Sequence, residues 1–191
     1  MSLLQLIQSD IAKANNSAQT FGILKLLVHF FFSRFIRTII LVRLLKKRGV
    51  VSFLSSRVLR KRHIEIGKNV SIKKGFFLPH PWCVIIADGS ILGENVSVGQ
   101  YVTIGGNFKK AVVHGNSSVQ KLPVIGDRVI IGPGTVIGGP VTIGNDVIIG
   151  ANAVVTHNVP SNSIVYGQNK ISKKKIMVSD KGDQYSIIQS A

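Results

Sequence analysis

The amino-acid sequence predicts a parallel β-helix, a solenoid of short stacked strands, preceded by an α-helical segment. The first observation behind this prediction is a sharp change of composition near residue 62. Residues 1–61 contain two of the 19 glycines and none of the six prolines, which is typical of helices. The second observation is a repeat of six residues that begins just after this change, in which an aliphatic residue is followed by glycine.

The repeat runs in two blocks that keep the same phase within themselves. A period of six fits neither the 3.6-residue period of an α-helix nor the two-residue period of a plain strand. It predicts short strands with inward β-branched side chains, joined by corners at which glycine tolerates a positive φ. The repeated pairs are Ile66-Gly67, Leu92-Gly93, Val98-Gly99, Ile104-Gly105, Ile125-Gly126, Ile131-Gly132, Ile137-Gly138, Ile143-Gly144 and Ile149-Gly150.

The segment before the repeat, residues 1–61, is predicted to be helical, basic and apolar. Its most apolar stretch, residues 21–45, is interrupted by four basic residues, so we do not expect it to span a membrane. A helix packed against the body of the protein or a neighbouring subunit is the favoured interpretation. A basic helix lying on the inner, anionic face of a membrane remains open. The interrupting residues are Lys25, Arg34, Arg37 and Arg43.

Two interruptions of the repeat predict where function gathers, because loops that leave one face of a solenoid often carry it. Within residues 78–86 the phase slips by two residues. Between Ile104 and Ile125 the gap is 21 residues instead of six, which predicts an extruded loop at about residues 106–122. The chain is therefore divided into a helical segment (1–61), a β-helix (62–167) and a basic C-terminal tail (168–191).

Charge and cysteine content narrow the classes of function. The chain carries 24 Lys and Arg against eight Asp and Glu, a formal charge of +16, which favours phosphorylated ligands or anionic surfaces. The single cysteine, Cys83, excludes an intramolecular disulfide and fits a cytoplasmic location. No nucleic-acid motif and no metal-ligand spacing is found, so a nucleic-acid scaffold is the weaker alternative and no metal is expected.

From residue 62 to residue 167 the sequence resembles the serine O-acetyltransferase branch of the hexapeptide acyltransferases, and the related O-acetyltransferases of bacterial surface polysaccharides. The resemblance implies a left-handed β-helix, a homotrimer with active sites between subunits, and acetyl-CoA as co-substrate. The segments that carry it are Ile64-Glu65-Ile66, Leu78-Pro79-His80-Pro81, Val84-Ile85-Ile86, Val102-Thr103-Ile104-Gly105-Gly106, Pro123-Val124-Ile125-Gly126-Asp127 and Ile149-Gly150-Ala151-Asn152-Ala153-Val154-Val155.

The resemblance also implies a set of catalytic residues. His80 matches the general base that takes the proton of the acceptor hydroxyl, and Glu65 matches the acidic residue that orients its ring. Backbone amides at Gly105 and Gly106 are expected to bind the developing oxyanion. His114, in the extruded loop, is a candidate for a second catalytic histidine.

Departures from the family pattern predict a different acceptor. Serine acetyltransferases have an aspartate before the catalytic histidine and an Arg-His pair before the proline that reopens the repeat, whereas this chain has Pro79, Lys121 and Leu122. We therefore expect a sugar hydroxyl of a bacterial surface polysaccharide or its precursor, with serine or another small molecule as the alternative. Trp82 and Asp88 are the predicted acceptor contacts.

The coenzyme site is predicted along the coils. Gly132 and Ala151 match positions where a small residue lets the pantetheine arm approach the backbone. Lys170 and Lys173 are expected to meet the phosphate groups of CoA as point charges.

Overall fold

A computed structural model describes residues 1–15, 30–47, 49–106, 111–113, 119–168 and 170–173. The helical part consists of α1 (Leu3–Asn15), α2 (Arg34–Leu44) and α3 (Val50–Arg60). The hydroxyl of Ser33 caps α2 by accepting the Ile36 N–H at 3.2 Å. Among the described residues, no helix is long and apolar enough to cross a membrane.

The strands that follow stack into three parallel sheets, which form the faces of a β-helix. Face A contains β1 (Ile64–Ile66), β3 (Val84–Ile86), β6 (Thr103–Gly105), β11 (Val136–Gly138) and β14 (Val154–Val155). Face B contains β2 (Ser71–Ile72), β4 (Ile91–Leu92), β9 (Val124–Ile125) and β12 (Thr142–Ile143). Face C contains β5 (Ser97–Val98), β10 (Ile130–Ile131), β13 (Ile148–Ile149), β15 (Ser163–Tyr166) and the antiparallel β16 (Lys170–Lys173).

The chain visits the faces in the order A, B, C and then returns to A one coil further on. The aliphatic residue of each repeated pair points inward, so that equivalent side chains stack along the axis. On face A, Ile86, Ile104, Ile137 and Val155 are all buried and follow one another in register. Burial of these ladders is the main source of stability, because each buried aliphatic side chain contributes roughly 1.5–3 kcal/mol.

The glycines of the repeat serve a different purpose from the predicted one. None of the nine glycines in the repeated pairs has a positive φ. Most are required because the next coil passes too closely for a side chain: a Cβ on Gly132 would lie 2.6 Å from the Ala151 nitrogen. The positive-φ positions are mostly occupied by other residues, such as Asn95, Arg128 and Asn152. Close stacking of the coils is therefore the physical reason for most of the repeated glycines, while Gly105 and Gly138 have open space at the position of a Cβ.

The chain leaves the regular coil between β6 and β9, where the extruded loop is predicted. Strands β7 (Val112–Val113) and β8 (Val119–Gln120) pair with each other as an antiparallel ladder outside the three faces. The Gln120 amide donates to the carbonyls of Leu122 and Val141, both at 3.1 Å, which ties the returning chain to face B. Residues 107–110 and 114–118 of this loop lie outside the described residues.

A buried ion pair joins the helical part to the first coil. Asp10 of α1 accepts two hydrogen bonds from Arg43 of α2, at 2.7 and 2.8 Å, and a third from the Phe76 N–H at 2.8 Å. Arg43 also donates to the carbonyls of Ile72 and Lys73. Neither charged side chain is more than 3% exposed. The helices are thus held against the β-helix by a network that leaves few hydrogen-bonding groups unmatched.

Candidate active site

The turn from face C to face A in the first coil contains two extra residues, as the slipped phase predicts. Phe77 pairs with Ser97 and Ile85 pairs with Thr103, so eight residues in one coil span what six span in the next. The additional residues bulge outward at the edge where faces C and A meet. We call this boundary, which later coils continue through Tyr101, Gly132 and Ala151, the C–A edge.

His80 lies in this bulge between two prolines. The Trp82 N–H donates to the His80 carbonyl at 2.8 Å, closing a tight turn around Pro81. The His80 side chain is exposed, and its ring makes no hydrogen bond within the described residues. The turn therefore presents an accessible imidazole at the end of the C–A edge.

A cleft of about 440 Å³ opens between this turn and the start of α2. Trp82 forms one side of it, is 44% exposed and meets the ring of His63 edge-to-face at 5.8 Å. The cleft lies beside the predicted base, so its residues are suited to contact an acceptor. It is lined by Arg34, Phe35, Arg62, Pro79, His80, Pro81 and Trp82.

Sequence reasoning missed Arg34 and Arg62 as site residues, because nothing in the repeat marks them. The signal that could have found them is compositional. Residues 11–64 carry 12 of the 24 Lys and Arg residues and no Asp or Glu, so most of these cations lack a local partner. Unpaired cations of this density are typical of a surface that meets an anion.

The predicted partnership between Glu65 and His80 is not formed among the described residues. Glu65 is exposed on β1 and lines a separate cavity of about 370 Å³ between α3 and face A, on which Arg60 and Asp88 also lie. No hydrogen bond joins its carboxylate to His80 within the described part of the chain. The orienting role of Glu65 stays a prediction.

Asp88, a predicted acceptor contact, has a structural partner. Its carboxylate accepts hydrogen bonds from the backbone N–H and the side-chain amide of Asn69, at 2.6 and 2.7 Å. These bonds hold the pKa of Asp88 below its usual value. The contacts link the A-to-B turns of the first two coils, so Asp88 stabilises the stacking of these turns and lies away from the His80 cleft.

The predicted oxyanion and coenzyme residues divide between two edges. Gly105 ends β6 and Gly106 follows it, so both lie at the end of face A that is opposite His80. Gly132 and Ala151 lie on the C–A edge itself, where Gly132 packs against the Ala151 backbone. Lys170 is exposed on β16, next to the last coil. The C–A edge of a single chain therefore carries the predicted base, His80, and three of the predicted coenzyme contacts, Gly132, Ala151 and Lys170.

Two predicted site residues cannot be placed. His114 lies outside the described residues, and so does the side chain of Lys173. In the part of the chain that the structure describes, no three His, Cys, Asp or Glu side chains are grouped so as to hold a metal ion.

Comparison with known proteins identifies the repeat and its relatives. Residues 123–157 match the family model for the bacterial transferase hexapeptide (six repeats). A serine acetyltransferase of Staphylococcus xylosus is 38% identical over 123 residues, which are 64% of this chain and 54% of the relative. Serine acetyltransferase 1, chloroplastic, of Arabidopsis thaliana is 35% identical over 64% of this chain and 37% of the relative. The chain thus spans about half or less of the length of these relatives.

Solved structures show the same likeness. Serine acetyltransferase 1 of Entamoeba histolytica in complex with L-cysteine has a TM-score of 0.66 and 27% identity, over 86% of this chain and 63% of that one. The serine acetyltransferase of Neisseria gonorrhoeae has a TM-score of 0.70 at 22% identity, over 92% of this chain and 67% of that one, which shows the fold. These likenesses support the predicted left-handed parallel β-helix with N-terminal helices.

The predicted sugar acceptor is wrong by this comparison. The matched relatives and structures are serine acetyltransferases, and none of those described above acts on a polysaccharide by name. The prediction relied on Pro79, Lys121 and Leu122, which replace the groups that the family pattern provides for serine. The inference did not consider Arg34 and Arg62, which lie outside the repeat and line the cleft beside His80.

The six-residue repeat, the stacked faces and these relatives agree with one another. Residues 123–157 carry the bacterial transferase hexapeptide repeat, and the chain is similar in sequence and fold to the serine O-acetyltransferases.

Proposed function

We propose that this protein is an acetyl-CoA-dependent O-acetyltransferase whose acceptor is L-serine. The observation that carries the proposal is the exposed His80 in a two-residue bulge, on the same edge as the small residues Gly132 and Ala151. The relatives that match this chain are serine acetyltransferases, which supports both the reaction and the acceptor.

In the proposed reaction the His80 imidazole takes the proton of the serine hydroxyl as its oxygen attacks the thioester carbonyl carbon. The carbon–sulfur bond then breaks, CoA leaves as the thiol, and the acetyl group remains on the serine oxygen. The proton held by His80 is available for the leaving sulfur. Backbone amides of Gly105 and Gly106 are proposed to stabilise the oxyanion, and Glu65 to orient the imidazole.

The coenzyme is proposed to lie along the C–A edge. Successive coils are about 4.8 Å apart, so an extended pantetheine arm passing Ala151 and Gly132 leads toward His80. Lys170 and Lys173 are proposed to meet the CoA phosphates, and Trp82 to contact the acceptor. His114 is retained as a proposed second catalytic histidine.

The proposed assembly is a homotrimer with its sites between subunits. The positions of the predicted residues support this, because His80 and the pair Gly105-Gly106 lie at opposite ends of face A, so a single subunit does not place them side by side. The outward surface of face A includes exposed apolar side chains, Ile85 and Val136, which a neighbouring subunit would cover.

Acetyl transfer to serine is tested by the release of CoA thiol from acetyl-CoA, with L-serine as acceptor and L-alanine as the matched compound without a hydroxyl. We expect thiol release that depends on L-serine, with O-acetylserine as the product identified by mass spectrometry. Absence of serine-dependent release from protein that binds acetyl-CoA would overturn the proposed acceptor.

The proposed location is the cytoplasm, with peripheral contact between α3 and an anionic membrane. The buried face of α3 is formed by Ser52, Ser55 and Leu59, while its larger apolar side chains face outward. No acidic residue occurs between residues 11 and 64, so the surface around α3 is basic. It would repel a second copy of α3 and attract an anionic surface. The outward apolar residues are Val50, Val51, Phe53, Leu54 and Val58, which are 40–71% exposed.

Membrane contact is tested by sedimentation with vesicles. We expect the protein to sediment with vesicles that contain phosphatidylserine and to remain in the supernatant with phosphatidylcholine alone. Replacing Phe53 and Leu54 by serine should remove the binding. Equal binding by the double variant and the parent would contradict a role for this face.

A further inference from the structure

We propose that the guanidinium groups of Arg34 and Arg62 form an anion site that binds the carboxylate of the acceptor beside His80. The inference rests on the proposed function for the identity of the acceptor. It assigns acceptor recognition to the helical segment, outside the repeat that carries the family resemblance.

The two arginines lie beside the predicted base. Both line the same cleft of about 440 Å³ as His80, one from the start of α2 and the other just before β1. A small amino acid bound there with its carboxylate on the arginines would have its hydroxyl within the same cleft as the imidazole.

Hydrogen bonds and a ring contact fix the walls of this cleft. One Nη of Arg62 donates to the Thr38 hydroxyl at 2.7 Å and to the Arg34 carbonyl at 3.2 Å. The Arg62 carbonyl accepts the Cys83 N–H at 3.0 Å, which fixes its backbone to the His80 bulge. Phe35, next to Arg34, meets the Phe77 ring edge-to-face at 5.3 Å. The Arg62 guanidinium and the backbone around Arg34 are therefore held before a ligand arrives, which reduces the entropic cost of binding.

The positive charge of these arginines is not neutralised within the cleft. Arg62 has no carboxylate partner within the described residues, since the ion pairs there involve Arg43, Lys74 and Arg128. Its partial burial and the neighbouring Arg37 and Arg34 hold its pKa below its usual value. Three crowded cations without an anion are stabilised by binding one, and a guanidinium presents paired N–H donors that match a carboxylate.

The repeat lacks the Arg-His pair that the family pattern provides for the acceptor. In place of the Arg-His pair of the family, this chain has Lys121 and Leu122. Both precede β9 of face B. The Leu122 side chain lies against Gly89 and Gly106, away from the C–A edge. Within one chain, the cations that line the cleft beside His80 are therefore those of the helical segment and of the residue just before β1.

The test compares L-serine with serinamide, which keeps the hydroxyl and the amine but has a neutral amide in place of the carboxylate. We expect Arg62→Gln and Arg34→Gln each to raise the KM for L-serine at least about tenfold, with kcat near that of the parent. The KM for serinamide should not change. Arg128→Gln, which removes an exposed arginine remote from the cleft, is the control and should leave both values unaltered.

Arg34→Gln guards against a variant that simply misfolds, because the Arg34 side chain makes no hydrogen bond within the described part of the chain. An unchanged preference for L-serine over serinamide in both cleft variants would overturn the anion site. If the parent acetylates no serine, the proposed function fails, and the anion site is then tested with acetate as the probe. The site predicts a rise in melting temperature with sodium acetate relative to sodium chloride at equal ionic strength, present in the parent and lost in Arg34→Gln. No rise in the parent would overturn it.

Discussion

Replacing His80 by alanine is expected to lower kcat/KM for acetyl transfer by about 10²- to 10⁴-fold, the usual contribution of a positioned general base. The serine hydroxyl would have to lose its proton to water, while the coenzyme and acceptor sites stay intact. The expected effect is therefore on kcat, with the KM for acetyl-CoA close to that of the parent. Steady-state kinetics of CoA release measure both quantities.

His157 provides the matched control for this variant. It is also exposed, but it lies at the turn after β14, where its ring contacts the hydroxyl of Thr156 at 3.2 Å. His157→Ala should leave kcat/KM within about twofold of the parent. Because the exposed His80 ring makes no hydrogen bond in the described residues, its removal should change the free energy of unfolding by less than about 0.5 kcal/mol. An activity within a few-fold of the parent would show that another group is the base.

The six-residue repeat was sufficient to predict the stacked faces, because it directly reports the inward ladder. Ile104 and Ile137, for example, are paired in register and fully buried. The phase slip before Ile85 likewise predicted the bulge that carries His80, since two additional residues in a regular coil must leave it. What the repeat could not predict was the reason for its own glycines. Close approach of the next coil depends on three-dimensional stacking, whereas glycine in a sequence suggests a positive φ first.

The arginines of the cleft could not be predicted for a related reason. A solenoid repeat describes contacts between neighbouring coils, and it says nothing about where a preceding helix packs. Arg34 reaches the His80 bulge because α2 lies across the first coil, which is decided by contacts distant in sequence. The sugar acceptor was predicted from Pro79, Lys121 and Leu122, all from the repeat region, and the serine acetyltransferase relatives contradict it.

The contact that orients α2 depends on an acidic residue that the sequence analysis did not single out. Asp10 is the only acidic residue among residues 1–64, in a segment with 12 Lys and Arg. Its carboxylate is buried and is shared between Arg43 and the Phe76 N–H. Burial raises the pKa of Asp10 in spite of the opposing effect of Arg43, which indicates that the carboxyl is costly to remove from water. A buried pair of this kind stabilises mainly by avoiding an unpaired charge.

Asp10→Ala is therefore expected to lower the free energy of unfolding by about 3–5 kcal/mol, because it leaves the Arg43 guanidinium buried without its counter-ion and the Phe76 N–H without an acceptor. The measurement is the denaturant midpoint by circular dichroism, at one fixed protein concentration because an oligomer gains stability by mass action. Asp10→Asn keeps an acceptor for the Phe76 N–H, so its free energy of unfolding should lie between those of Asp10→Ala and the parent. Lys74→Ala breaks an exposed ion pair with Glu94 and should cost no more than about 1 kcal/mol. A loss in Asp10→Ala as small as that of Lys74→Ala would mean that α1 and α2 are held against the first coil by their apolar contacts alone. The placement of Arg34 beside His80 would then not depend on this ion pair.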